Sequence, residues 1–161
     1  MASIIIIDDE AAICASLRFA LEDRYDVATA QDAKAGLGLA ASGVDLVLLD
    51  LRLGEDDGLD ALSALRRLPD PPVVVMMSAY GTIESSVEAM RRGAFGYLEK
   101  PLRMDELEAQ VAQALEFGRL TRRVALLSTE LESRYGYGGI IGKSEAMRRV
   151  FELIERLKDV D

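Results

Sequence analysis

Apolar residues recur along this chain in two rhythms. Unbroken runs at Ile4-Ile5-Ile6-Ile7, at Val44 to Leu49 with only Asp45 intervening, and at Val73-Val74-Val75-Met76-Met77 read as strands buried on both faces. Tyr25 to Ala30 and Phe95 to Leu98 read as shorter strands. Between them the period lengthens. Ile13, Leu17, Ala20 and Leu21 fall at i, i+4, i+7 and i+8, and Leu59, Leu62, Leu65 and Leu68 repeat every three residues. The segment from Thr82 to Arg92 sets Val87 and Met90 against Glu84, Glu88 and Arg91. Turn residues stand at Gly54 and Gly58, at Pro69-Asp70-Pro71-Pro72, and at Gly93 and Gly96. This alternation of five strands with five helices predicts βαβ units and a doubly wound α/β fold with a five-stranded parallel sheet.

The last helical pattern continues past the sheet region. Met104 to Arg134 holds no proline, Gly118 is its weak point, and Leu120, Val124, Leu127 and Leu131 are spaced 4, 3 and 4. Such heptad spacing suits a self-associating helix, and equally a long helix packed on its own domain. Tyr135-Gly136-Tyr137-Gly138-Gly139 reads as a linker. Beyond it, Ser144 to Lys158 forms an amphipathic pattern with Met147, Val150, Phe151, Ile154 and Leu157 on one face. The chain therefore divides into a sheet domain at 1–118, a helical linker at 119–139 and the start of something further at 140–161.

With 161 residues the chain holds one ordinary domain and an appendage. Cys14 is the only thiol, which excludes an internal disulfide and suits a reducing cytoplasm; it reads as a small buried hydrophobe. The absence of histidine excludes Ser-His-Asp chemistry, histidine-ligated zinc and a phosphohistidine on this chain, so any phosphohistidine must come from a partner. No run approaches the ~20 apolar residues that span a bilayer, and no basic start marks a signal peptide. The expected location is the cytoplasm, away from membranes. The net charge is −9, with most of the excess acid in residues 1–100 and no basic face for nucleic acid.

Ligands of an open parallel sheet bind beyond the carboxyl ends of its strands. There stand Asp8, Asp9 and Glu10 after the first strand, Asp50 after the third, Ser78 after the fourth and Lys100 after the fifth. Each alone reads as a cap or turn residue; together they make a site. Clustered carboxylates repel and need a counter-charge, which a hard divalent cation such as Mg2+ and the lysine supply. A carboxylate so placed can attack phosphorus to give an acyl phosphate, with Ser78 donating a hydrogen bond to the phosphoryl group.

Asp8-Asp9, Asp50, Ser78-Ala79, Tyr97 and Lys100-Pro101, at these intervals, resemble the receiver domain of bacterial two-component response regulators. The resemblance implies a flavodoxin-like 2-1-3-4-5 strand order and Mg2+-dependent phosphoryl transfer to Asp50 from a cognate sensor histidine kinase. It implies no enzyme beyond a protein promoting its own phosphorylation and dephosphorylation. Asp9 and Asp50 would hold the metal through side chains, Arg52 through its backbone carbonyl, and Asp8 would assist through water. Ser78 and Tyr97 would be the switch pair, Lys100 the phosphate partner, and the Lys100-Pro101 peptide cis.

A finer resemblance lies in Ser78-Ala79-Tyr80-Gly81-Thr82-Ile83-Glu84 and in Ala89 to Leu98, which are similar to receivers of the NtrC type. Those regulators control sigma-54-dependent transcription. Ile140-Ile141-Gly142-Lys143-Ser144-Glu145-Ala146-Met147 resembles the opening of their AAA+ ATPase domain, without its Walker A loop. The expectation is a piece of a longer regulator: a homodimer through the fifth helix and linker, reaching sigma-54 RNA polymerase and DNA only through domains beyond this chain. Gly142-Lys143-Ser144 mimics a P-loop ending, but Tyr137 stands where that loop needs glycine, so no ATP binding is expected.

Two departures stand out. Gly54 occupies a position where receivers usually have proline, which predicts a looser loop. Arg52 and Tyr80, two residues beyond Asp50 and Ser78, are bulky enough to hinder hydrolytic water, which predicts a long-lived phosphorylated state. Three other readings compete. A haloacid-dehalogenase-like phosphatase needs a second aspartate where Arg52 stands; a flavin binder needs a phosphate loop where Asp8-Asp9-Glu10 would repel phosphate; a receiver-like dimerisation module needs no phosphorylation.

Overall fold

The computed structural model describes residues 1–135 together with Glu152, Leu153 and Arg156. The linker glycines, the P-loop mimic and the 140 boundary lie outside these residues. Of the expected helix after Ser144 only those last three are described. Two compact units are distinguished, Met1–Leu115 and Glu116–Asp161.

The first unit follows the predicted alternation. In chain order the elements are β1 (Ser3–Ile7), α1 (Ala11–Leu21), β2 (Asp26–Ala30), α2 (Ala33–Ala40), β3 (Leu46–Asp50), β4 (Arg52–Leu53), β5 (Asp56–Asp57), α3 (Gly58–Arg66), β6 (Val73–Ser78), α4 (Ile83–Arg91), β7 (Gly96–Glu99) and α5 (Met104–Tyr135). Five strands pair in parallel in the order β2-β1-β3-β6-β7. Counting these strands alone, the order is the expected 2-1-3-4-5.

The apolar runs form the centre of the sheet because both of its faces are covered. Ile5, Ile7, Val47, Leu49, Val74 and Met76 share one core cluster with Leu62 and Leu65 of α3 and Ala89 of α4. Alternation sends Ile4, Ile6, Leu48, Val75 and Met77 to the other face, and α1 and α5 bury Leu17, Leu21, Leu107 and Val111. Asp45, the one polar break in the third run, lies just before β3. Its carboxylate accepts from the Ser3 N–H and hydroxyl at 2.9 and 3.2 Å, fastening the start of β1.

Two features differ from the sequence expectation. Asp50 and Ser78 are the last residues of their strands rather than the first beyond them. The loop after Asp50, expected to be loose at Gly54, folds as an antiparallel pair, β4 with β5, in register Arg52↔Asp57 and Leu53↔Asp56. Glycine's positive φ of 63° at Gly54 makes that tight turn possible.

Candidate functional site

The parallel register brings Asp8, Asp50, Ser78 and Lys100 to one edge of the sheet. The first three are buried polar residues. The backbone N–H of Asp8 donates to the Ala30 carbonyl at 3.0 Å, prolonging the β1–β2 ladder. Lys100 is carried there in the same way, its N–H donating to the Ser78 carbonyl at 2.8 Å. The Lys100-Pro101 peptide is cis.

Lys100 bridges two acids. Its Nζ lies 2.7 Å from Asp8 Oδ2 and 3.3 Å from Asp50 Oδ2, with all three side chains nearly or fully buried. Asp8 Oδ1 accepts from the Glu10 N–H at 2.9 Å, so both Asp8 oxygens are engaged. Burial and the neighbouring Asp8 charge push the Asp50 carboxyl up to about 6, against the pull of Lys100 and a hydrogen bond from the Arg52 backbone. Burial works to lower Lys100, but the two carboxylates outweigh it and leave the ammonium above its ordinary value. Cys14 is buried beneath, its Sγ donating to the Asp8 carbonyl at 3.4 Å, and burial and Asp8 both raise its thiol pKa. That environment suits the packing role expected of it.

Asp8, Asp9 and Glu10 place carboxylate oxygens within 4.8 Å of one another. An all-oxygen, anionic donor set of this kind fits a hard divalent cation such as Mg2+. The sequence counts Glu10 among the acids at this rim, whereas the family resemblance names Asp8, Asp9, Asp50 and the Arg52 carbonyl as the metal holders and leaves Glu10 out. Asp50 stands outside that trio and joins it through Lys100. Arg52 lies in β4, where its backbone reaches Asp50.

Ser78 Oγ accepts from the Tyr80 N–H at 3.0 Å. Tyr97, half-buried in β7, places its hydroxyl 3.3 Å from Ser85 Oγ at the start of α4 and packs against Gly81. Ser78 and Tyr97 thus flank the β6–α4 loop with different partners. The Arg52 guanidinium lies over the Tyr80 ring, 5.8 Å from its centroid. Three contributors escaped sequence reasoning. Ser85 closes a capping box with Thr82, a serine standing where the sequence signature has Glu or Gln. Gly54 N–H donates to Asp9 Oδ2 at 3.0 Å. Gly58 lies so close to the Asp50 and Leu51 carbonyls that a Cβ there would strike backbone.

The fold and site define a class: a doubly wound α/β protein with an acidic, lysine-bridged site at the carboxyl edge of its sheet. Comparison with known proteins is more specific. Residues 4–112 match the response regulator receiver domain, and the chain belongs to that family. The alginate biosynthesis transcriptional regulatory protein AlgB of Pseudomonas aeruginosa is 40% identical over 160 residues, covering 98% of this chain and 35% of its own length. The nitrogen assimilation regulatory protein NtrX of Azorhizobium caulinodans is 35% identical over 158 residues, covering 96% and 34%. The crystal structure of NtrX from Brucella abortus matches with a TM-score of 0.71 at 37% identity, over 79% of this chain and 30% of that one. The resemblance to receivers of NtrC-type regulators is borne out. The chain spans about a third of the length of these curated relatives. The phosphatase and flavin-binder readings fall with this assignment. No helix among the described residues is long and apolar enough to cross a membrane.

Proposed function

We propose that this chain is the phosphoryl-accepting receiver of a longer cytoplasmic regulator of sigma-54-dependent transcription, with Asp50 as acceptor. The Lys100 ammonium held between Asp8 and Asp50 carries this reading. A carboxylate oxygen of Asp50 attacks the phosphorus of a phosphohistidine on a sensor kinase. The P–N bond breaks, its electron pair leaves with the imidazole, and an acyl phosphate remains. Burial and the neighbouring Asp8 charge make Asp50 costly as an anion in the resting protein; Lys100 keeps it available and pairs with the phosphoryl oxygens afterwards.

Asp8, Asp9, Asp50 and the Arg52 backbone carbonyl are the expected holders of Mg2+, with Glu10 beside them. Bound there, the cation neutralises charge on the phosphoryl oxygens. Ser78 donates its hydroxyl to the phosphoryl group. Its Oγ accepts from the Tyr80 N–H and keeps its own hydrogen to give, so turning toward the phosphoryl group pulls on the β6–α4 loop through that bond and lets Tyr97 follow. The receiver turns over no other substrate.

The change is read out through α4, β7 and α5. Exposed Leu120 and Leu127 support a homodimer through α5 and the 119–139 linker. Residues 140–161 open a AAA+ domain, and sigma-54 RNA polymerase and DNA are met by domains beyond this chain. The names of the relatives, transcriptional regulatory proteins, favour that output.

The test is incubation with acetyl phosphate and Mg2+, with intact mass read beside an Asp50→Ala control and light scattering on the same samples. A phosphoryl adduct on wild type alone, with a change in oligomer size, is the expected result. A folded protein that binds Mg2+ and takes no adduct would instead be a dimerisation module that works without phosphorylation.

A further inference from the structure

The two-residue turn joining β4 to β5 is Gly54-Glu55. Gly54 has a φ of +63°, and no described residue other than glycine has positive φ. Positive then negative φ is the pattern of a type II′ hairpin turn, which takes glycine at its first central position. The hairpin is fixed at its base. Leu53 is 3% exposed and packs in the core cluster with Leu49 and Leu62. Asp57 caps α3 by accepting from the Leu59 N–H at 2.9 Å, and the Gly58 N–H donates to the Leu51 carbonyl at 2.7 Å.

From the tip of this anchored element the Gly54 N–H reaches Asp9 Oδ2 at 3.0 Å. Asp9 is exposed, and its carboxylate would otherwise turn among several rotamers. With Oδ2 held by the hairpin, the carboxylate is fixed in orientation and Oδ1 remains for another partner, while Asp9 as a residue belongs to the 4.8 Å cluster with Asp8 and Glu10. The same hairpin carries Arg52, whose carbonyl is an expected ligand. One anchored loop thus offers a ligand and orients another. A proline at position 54, usual in receivers, has no N–H to give.

We propose that the Gly54 N–H is a positioning group for the cation site: it pre-orients Asp9, and tight Mg2+ binding in this chain depends on it. The inference rests on the cation site assigned above. Partners that hold a ligating side chain in place contribute about 10- to 100-fold in metal affinity, and this solvent-exposed bond belongs at the lower end.

The whole chain, 15N-labelled, is titrated with Mg2+ alone and followed by the shifts of its backbone amides. In wild type the Gly54 amide moves and saturates together with the Asp9 amide. Gly54→Pro removes the N–H and, because the ring cannot adopt a φ of 63°, reshapes the turn as well; it raises the Mg2+ Kd about tenfold. Gly54→Ala strains the same positive-φ turn but keeps the N–H, and stays nearer wild type than Gly54→Pro does. Equal weakening by alanine and proline, or a proline variant that binds like wild type, overturns the brace. A wild-type protein that takes up no Mg2+ overturns the cation site itself and the brace with it. Because proline disturbs the turn along with the bond, hydrogen exchange isolates the bond itself: the Gly54 amide exchanges more slowly in wild type than in Asp9→Ala, and equal rates overturn the proposal.

Discussion

The hydroxyl of Tyr97 stands 3.3 Å from Ser85 Oγ, so the tyrosine of β7 touches the residue that closes the capping box at the start of α4, whose N-cap is Thr82. Ser85 Oγ accepts from the Thr82 N–H at 2.9 Å while Thr82 Oγ1 accepts from the Ser85 N–H at 3.0 Å. A movement of Tyr97 therefore disturbs the start of α4 through one hydroxyl. Ser85→Ala keeps the Thr82 cap but removes the return bond to the Thr82 N–H; it is expected to cost about 0.5–1 kcal/mol in urea unfolding and to shift the Tyr97 ring resonances. Ring resonances that stay in place would dissociate the tyrosine from the helix start.

Gly81 makes room for that hydroxyl. A Cβ on residue 81 would overlap the Tyr97 hydroxyl and lie 3.0 Å from two of its ring carbons. The conflict falls on the movable side chain rather than on backbone. Gly81→Ala is thus expected to drive Tyr97 into another rotamer in the unphosphorylated protein, seen as a changed χ1 from side-chain couplings. An unchanged rotamer would mean the loop yields instead.

Lys100 compensates two buried acids at once. Breaking a buried ion pair by removing one partner commonly costs about 3–5 kcal/mol, because the charge left behind has neither water nor counterion. Lys100→Met in cation-free buffer is expected to fall in that range by urea unfolding at pH 8, and to recover part of it at pH 5, where Asp50 takes up a proton. A loss below 1 kcal/mol would place water, rather than Lys100, as the main compensation.

The raised Asp50 pKa has a definite sign. Its folded value of about 6 lies above the ordinary 3.8, so the folded state holds this proton more tightly than the unfolded chain does. The resulting stability is fully present below pH 3.8 and is lost as pH rises through about 6. In cation-free buffer Asp50→Asn removes the cost of burying a charge at this position and the repulsion with Asp8. It is expected to be more stable than wild type by about 2 kcal/mol at pH 8, with the gap closing toward pH 4. Parallel urea midpoints across that range are the measurement, and a variant less stable at pH 8 contradicts the assignment.

Much of this site was readable because parallel strands put their ends on one edge. Once Ile4–Ile7, Leu46–Leu49 and Val73–Met77 are neighbouring parallel strands, Asp8, Asp50 and Ser78 share one edge, and the shorter run Phe95 to Leu98 brings Lys100 to it. The hairpin was not readable, since Arg52-Leu53 and Asp56-Asp57 are too short to show a period. Gly54 suggested freedom because glycine is permissive. That same permissiveness closes a tight turn, and the N–H that proline lacks ties it to Asp9. Ser85 went unnoticed because a serine in place of the usual acid or amide disguises the capping box.

Arg52 and Tyr80 each lie two residues beyond a member of the site, and the guanidinium covers the ring at 5.8 Å. Tyr80 is 76% exposed, so the pair stands on the solvent side, and it is expected to screen an acyl phosphate on Asp50 from hydrolytic water. Arg52→Ala and Tyr80→Ala are each expected to speed loss of the phosphoryl group, followed by intact mass after acetyl phosphate is removed. Cation–π contact at an exposed position contributes about 0.5–1 kcal/mol, which is up to about fivefold in rate. If the two side chains screen as a unit, the double variant gains less than the product of the single effects. Multiplying effects would mean that each screens alone, and unchanged rates would mean that water enters by another side of the site.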